Sequence, residues 1–170
     1  PTPFTELYFK TAFEQGQQLD AFFTVNTSPQ LNFSIAYKGL RSLGKYQHIL
    51  TSTGNFRFTT SYKTKNKRYV ANAHMVAQDF LNEENGGLSD DNIIYFESGN
   101  PEFKDRGVLD VNFEDAESIL KGKRFHLDHY YNIIQPKDSV SSNTLSIGHI
   151  ISFEDKYFQF DQDNESEYLG

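Results

Sequence analysis

Cysteine and tryptophan are absent from this 170-residue chain, and methionine occurs once. Without cysteine there is no disulfide framework and no thiolate metal site, although the compartment stays open. Long apolar runs are missing as well. Nothing approaches the roughly 18 residues a spanning helix needs, and the mean hydropathy is −0.61. A helical membrane protein is thereby excluded. A membrane barrel is not, because only alternate strand residues must face lipid. Basic excess is also lacking: the net charge is −7, no basic stripe offsets it, and a nucleic-acid partner is disfavoured. No reaction motif, cofactor motif or positioned nucleophile occurs, so neither an enzyme nor a bound cofactor is expected.

Aromatic residues are plentiful: 16 Phe and ten Tyr, most of them within alternating segments. In Asn55–Tyr62, Phe56, Phe58, Thr60 and Tyr62 take one parity, and Asn55, Arg57, Thr59 and Ser61 the other. Successive strand side chains point to opposite faces, so the pattern describes a sheet with one greasy and one wet surface. Eight strands are expected on this basis: Thr5–Glu14, Gln18–Asn26, Gln30–Lys38, Asn55–Tyr62, Arg68–Leu81, Lys123–Ile134, Thr144–Phe153 and Lys156–Phe160. Most match the roughly 9–11 residues of a tilted strand crossing a bilayer.

The greasy parity collects Phe9, Phe23, Phe33, Phe56, Phe58, Tyr62, Tyr69, Phe125, Leu127, Ile147, Ile151 and Phe153 as lipid-facing candidates. Small or aliphatic neighbours such as Leu7, Ala21, Ile35, Ala73, Met75 and Ile133 join them, and this selection contains no Asp, Glu, Lys or Arg. The opposite parity carries Glu6, Lys10, Asp20, Lys38, Arg57, Arg124 and Asp128, the candidates for lining a lumen. Hairpin arithmetic supports the same sorting. A turn centred on Gly16, with Gly supplying a positive φ, pairs Phe13 with Leu19 and Phe9 with Phe23. A two-residue turn at Lys65-Asn66 pairs Tyr62 with Tyr69, Phe58 with Ala73 and Phe56 with Met75. A hairpin centred near Ser139 pairs Ile133 with Leu145, His129 with His149 and Phe125 with Phe153. Such same-face pairs stabilise a sheet by about 0.2–1 kcal/mol each.

Connections near Ser28 and at Lys63–Lys67 are short, whereas Gly39–Gly54 and Asn82–Gly122 are long, as in membrane barrels with short periplasmic turns. A brief turn at Asp155-Lys156 breaks the alternation. Within the second long loop a helix is expected over Phe113–Lys121. Asn112 would cap it, Glu114 and Asp115 would sit in its first turn, and Lys121 then Gly122 would close it. Its stripe of Phe113, Ala116, Ile119 and Leu120 would pack the loop onto the barrel rim or inside its mouth.

Several tempting sites have plainer readings. His129 and His149 face each other, but two ligands are too few for a metal site, and an interfacial girdle suits them better. Asn82–Gly87 followed by Ser89-Asp90-Asp91 offers oxygen ligands without the spacing of an EF-hand loop, so a solvated loop is expected, as for the acidic stretch Asp161–Glu167. The basic run Lys63–Arg68 could touch anionic headgroups, yet reads first as a solvated turn. The pair Glu6/Asp20 decorates a wet wall rather than forming an acid–base dyad.

Several stretches together resemble the putative porins of Bacteroidota, a family of outer-membrane β-barrels. They are Thr5-Glu6-Leu7-Tyr8-Phe9-Lys10-Thr11, Glu14-Gln15-Gly16-Gln17 with Leu19-Asp20-Ala21, and the run from Asn32 through Tyr37-Lys38-Gly39-Leu40-Arg41-Ser42-Leu43-Gly44-Lys45-Tyr46. Asn55-Phe56-Arg57-Phe58, Asn66-Lys67-Arg68-Tyr69, Glu84-Asn85-Gly86-Gly87 and Asp115-Ala116-Glu117 continue the likeness in order. The resemblance implies an outer-membrane location and a longer protein of which these residues, beginning at Pro1 without an initiator Met, are a segment. The expected architecture is thus an all-β, up-and-down antiparallel transmembrane barrel, or part of a larger one, as a single unit over 1–170.

Alternation alone does not say which solvent meets which face. A soluble lipocalin-like carrier would turn Phe9, Phe33 and Phe58 inward around an apolar ligand. A porin-like barrel turns them toward membrane lipid and passes small hydrophilic solutes. A barrel with a closed lumen would instead serve as a structural or assembly component beside other outer-membrane proteins. A Lys or Arg facing lipid at midplane costs about 2–4 kcal/mol, which favours the membrane readings for a face so free of charge.

Overall fold

A computed structural model of the chain describes residues 2–135 and 144–164. Seven strands form one antiparallel meander in chain order: β1 (Phe4–Ala12), β2 (Gly16–Ser28), β3 (Leu31–Ser42), β4 (Thr51–Lys63), β5 (Tyr69–Glu84), β6 (Ala116–Ile134) and β7 (Leu145–Gln162). The sheet is open, with β1 and β7 as its edges. The all-β, up-and-down architecture is as expected, with seven strands in place of eight. What was read as a turn at Asp155-Lys156 is continuous β7, whose residues Lys156 and Asp155 pair with Gly122 and Lys123. With that turn removed, the connections 29–30, 43–50, 64–68 and 85–115 alternate short and long, whereas 135–144 is long at the short-turn end.

Two predicted registers shift, and both shift by an even number. At the first turn Phe9 opposes Leu19, not Phe23. Glu14 and Gln15, with φ of 59° and 52°, make the turn, and Gly16 opens β2. Positive φ at both central residues is the hand that suits a tight hairpin, so the left-handed positions fall on Glu and Gln rather than on Gly. At the second turn Thr64 pairs with Tyr69 through its backbone, widening the loop, and Tyr62 opposes Ala71 while Phe58 opposes Met75. An even slip leaves every side chain on its original face. The third hairpin has His129 opposite His149 and Phe125 opposite Phe153 as expected, whereas a bulge displaces Ile133 so that Ile134 opposes Leu145. The centre of that hairpin, near Ser139, lies outside the described residues.

The helix expected over Phe113–Lys121 does not form. From Ala116 onward those residues belong to β6, where Ile119 opposes Leu81 and Leu120 opposes Phe80. An isolated helix of that length is marginal, and β5 presents a long edge that satisfies the same backbone groups. Gly122 sits buried inside the strand instead of ending a helix. The helix that does form, α1 (Asp90–Glu97), begins after Ser89 in the stretch read as a solvated acidic loop, with Asp90 and Asp91 in its first turn. Two 3-10 turns, Pro101–Phe103 and Arg106–Val108, follow it.

Tight packing is confined to one rim. Among the described residues the buried apolar side chains are Leu109, Val111, Phe113 and Ala116, all in or beside the 85–115 loop. Phe113 and Ala116 thus do pin the loop to the rim, without a helix. Hydrogen bonds bind this loop to the 43–50 loop: the Asn85 side chain donates to the Gln47 carbonyl (3.0 Å) and the Gln47 side chain to the Gly107 carbonyl (3.0 Å). His48 bonds the Ala116 carbonyl at 2.7 Å, and the Leu50 amide donates to Glu83 Oε2 at 2.9 Å. Gly86 has φ of 65°, and a Cβ there would lie 2.6 Å from the Phe113 ring. Gly86→Ala combines left-handed strain of about 1–3 kcal/mol with that clash. Limited proteolysis is expected to cut the 85–115 loop of this variant much faster than the wild type, while far-ultraviolet circular dichroism of the sheet stays unchanged.

Candidate functional site: a two-faced wall

Register decides which side chains stand together. One row crosses the sheet through Phe23, Ile35, Phe58, Met75, Phe125 and Phe153, and the next toward the short turns through Val25, Phe33, Thr60, Ala73, Leu127 and Ile151. All twelve lipid-facing candidates share this face. Neighbouring rings touch across strands: Phe23 with Phe33 at 6.2 Å, Phe33 with Phe58 at 6.5 Å, Tyr62 with Tyr69 at 6.3 Å. They remain open to their surroundings, with Phe9 61 % and Phe153 64 % exposed. A continuous apolar patch of this extent is not left bare in water.

The seven charged candidates occupy the other face. Asp20 and Lys38 oppose each other and approach to 3.6 Å. Glu6 stands opposite Phe22, Lys10 opposite Gln18, and Asp128 opposite Asn72. Arg57 and Arg124 flank Val76 from β4 and β6. Polar cross-strand bonds fill the space between: Ser34 with Thr59 at 2.6 Å, Asn55 to Gln78 at 3.1 Å, Ser61 to Asn72 at 2.8 Å. Sequence reasoning missed four members of this face, Lys156, Glu154 and the pair His74 and His126. Lys156 and Glu154 form an ion pair. The period-two alternation through Arg68–Leu81 and Lys123–Ile134 could have supplied the two histidines. Both faces have exceptions. Phe22, Phe80, Leu120, Ile150 and Phe158 stand among the polar residues, and Asp79, Lys121, Lys123 and Asp155 lie on the greasy parity, where no charge was expected.

Other candidates resolve locally. His129 and His149 lie with centroids 5.3 Å apart, and Tyr69 completes their contact, its hydroxyl 3.3 Å from His129 Nδ1. No group of three His, Asp or Glu side chains suited to a metal occurs among the described residues. Glu83 and Glu84, from the calcium-like stretch, are committed to Leu50 and Ser118. Lys63–Arg68 forms the exposed β4–β5 turn. Of the acidic stretch, Glu165, Ser166 and Glu167 lie outside the described residues.

A family model described as "Putative porin" matches residues 1–170, the whole chain. The chain belongs to that family. No curated protein and no solved structure matches it. At the level of the family this supports a porin-like outer-membrane β-barrel, and the family suggests a channel rather than a catalyst.

Porin-family membership gives the exceptions on the greasy face a meaning. Asp79, Lys121, Lys123 and Asp155 cluster at the long-loop end, around an open pocket of about 420 Å³ that Tyr37, Phe56 and Tyr157 also line. There Asp79 and the Tyr37 hydroxyl lie over Gly54, where any Cβ would strike Asp79 Oδ1 at 2.7 Å. Below them the apolar belt on β5 runs from Tyr69 to Ala77, about 27 Å along the strand at 3.4 Å per residue. The belt's upper edge climbs across the sheet. It reaches Leu19 on β2 but only Phe153 on β7, although Leu19 shares its row with Tyr157. That offset, about 14 Å over five strand spacings or about 24 Å, corresponds to a strand tilt on the order of 30°. Tilted so, the belt stands a little over 20 Å tall, close to the ~25 Å apolar band of outer-membrane barrels.

Opposite outcomes are expected for adjacent substitutions. Phe58→Arg should lower folding stability in lipid vesicles by about 2–4 kcal/mol, and Thr59→Arg by less than about 1 kcal/mol. Urea titration of the two variants reconstituted in vesicles measures both.

Proposed function

We propose that these strands are one sector of a larger outer-membrane barrel, with the greasy face against lipid and the charged face lining an aqueous lumen. Small hydrophilic solutes would cross it passively. The observation that carries this reading is the unbroken parity from β1 to β7. It keeps Glu6, Lys10, Asp20, Lys38, Arg57, Arg124 and Asp128 on one side of the wall and the aromatic belt on the other. Hydrocarbon tolerates no unpaired strand edge, so β1 and β7 need further strands beside them. Seven is also an odd number where bacterial barrels are even.

A closed-lumen reading, in which the barrel serves other outer-membrane proteins as a structural or assembly component, draws on the rim. Ala116 and Ser118 belong to the polar face yet are buried beneath the loops, so the mouth is narrowed on this sector. No feature favours the soluble carrier, whose greasy face would enclose a ligand. Two measurements separate the readings. In vesicles, Thr59→Cys should react with a charged thiol reagent, and a bimane label on Phe58→Cys should be quenched by brominated lipid. Full-length protein should also give steady conductance in a planar bilayer. Silent bilayers with correct labelling would leave the closed-lumen barrel, and reversed labelling would overturn the wall's orientation.

A further inference from the structure

At mid-height on the polar face lies a cluster that the charge pattern alone does not reveal. His74 on β5 and His126 on β6 stand directly opposite each other, their rings stacked with centroids 5.0 Å apart. One row toward the long loops, Arg57 and Arg124 flank Val76. Strands lie about 4.8 Å apart, so the two arginine stems rise roughly 10 Å from each other, with His74 one row below on the strand between them and His126 one row below Arg124.

The surrounding acids are otherwise engaged. Glu154, opposite Arg124, is paired with Lys156, and Asp20 is paired with Lys38. Asp128 stands two rows from Arg124, between Asn72 and Ile150. Among the described residues neither Arg57 nor Arg124 makes an ion pair within 4.0 Å. Ser152 Oγ bonds His126 Nδ1 at 2.7 Å, which fixes that ring and leaves its other nitrogen outside this bond. A chain of net charge −7 thus gathers two guanidinium groups outside any such ion pair and two imidazoles at one place. Fixed guanidinium forks match the paired oxygens of phosphate or carboxylate.

We infer that Arg57, Arg124, His74 and His126 form an oxyanion-binding station on the wall, selecting solutes that carry phosphate or carboxylate groups. The inference rests on the polar face being wet, and it names the solute class for the proposed passage. Inorganic phosphate serves as the probe, added to the full chain in lipid vesicles or micelles while the imidazole nuclear magnetic resonances of His74 and His126 are followed. Both should shift saturably, beyond the effect of chloride at equal ionic strength. Each of Arg57→Gln and Arg124→Gln should weaken binding by about tenfold, and the double variant should abolish the shift. Arg57→Lys with Arg124→Lys keeps the charge and should retain part of it.

Unmoved imidazoles in the wild type, or a shift that survives the double Gln variant, would overturn the station. Reaction of Thr59→Cys with a charged reagent in vesicles tells the two failures apart. If that cysteine reacts while phosphate moves nothing, the station falls and the wet wall stands. If it is inert as well, both fall.

Discussion

Everything in this molecule depends on keeping the backbone ladder in one parity across six successive strand pairings. Each pairing exchanges hydrogen bonds between neighbouring strands, and in hydrocarbon no other partner for those groups exists. A slip of one residue at any pairing would turn the following strands over and send guanidinium groups into the belt. Two irregularities do occur, at Asn26/Ser28 and at Asn132/Ile134. Both lie at the short-turn end, beyond the middle of the belt, where an extra residue alters no row that must stay apolar. Bulges are best tolerated at such margins.

Against this regular wall the long-loop rim is built like a small globular protein. Leu109, Val111, Phe113 and Ala116 are its core, and Glu83, Glu84, Asn85 and His48 are its polar joints. Two physical regimes are therefore combined in one chain. The wall has no interior of its own and leaves large side chains facing outward on both sides, whereas the rim buries its apolar groups as a soluble domain does. The rim also ties the 43–50 and 85–115 loops together beside Ala116 and Ser118, which are buried on the polar side.

Charge is distributed with the same logic at two levels. Between faces, ionic groups are kept from the belt and gathered on the polar side or above the belt, as at Asp79, Lys121, Lys123 and Asp155. Within the polar face, neighbouring opposite charges such as Asp20 and Lys38 satisfy one another, while Arg57 and Arg124 do not. A wall whose ions were all paired would be merely hydrophilic. Unpaired guanidinium groups give it a preference.

Period-two alternation by itself determined the strand class and the sorting of all nineteen candidate residues onto two faces, because side-chain direction in a strand depends only on parity, and the hairpin turns added the meander order. It could not set the registers at the first two turns, since Glu14 and Gln15 adopt a conformation usually left to glycine and Thr64 closes a wider loop than its spacing suggests. Nor could it reject a helix over Phe113–Lys121, where local spacing fits a helix but the long edge of β5 offers more hydrogen bonds and wins. The stacking of His74 on His126, and the pairing of Glu154 with Lys156 instead of Arg124, were likewise decided only in three dimensions. Contact between strands is fixed by register and by which partner an acid has already taken, and neither is a property of one segment's pattern.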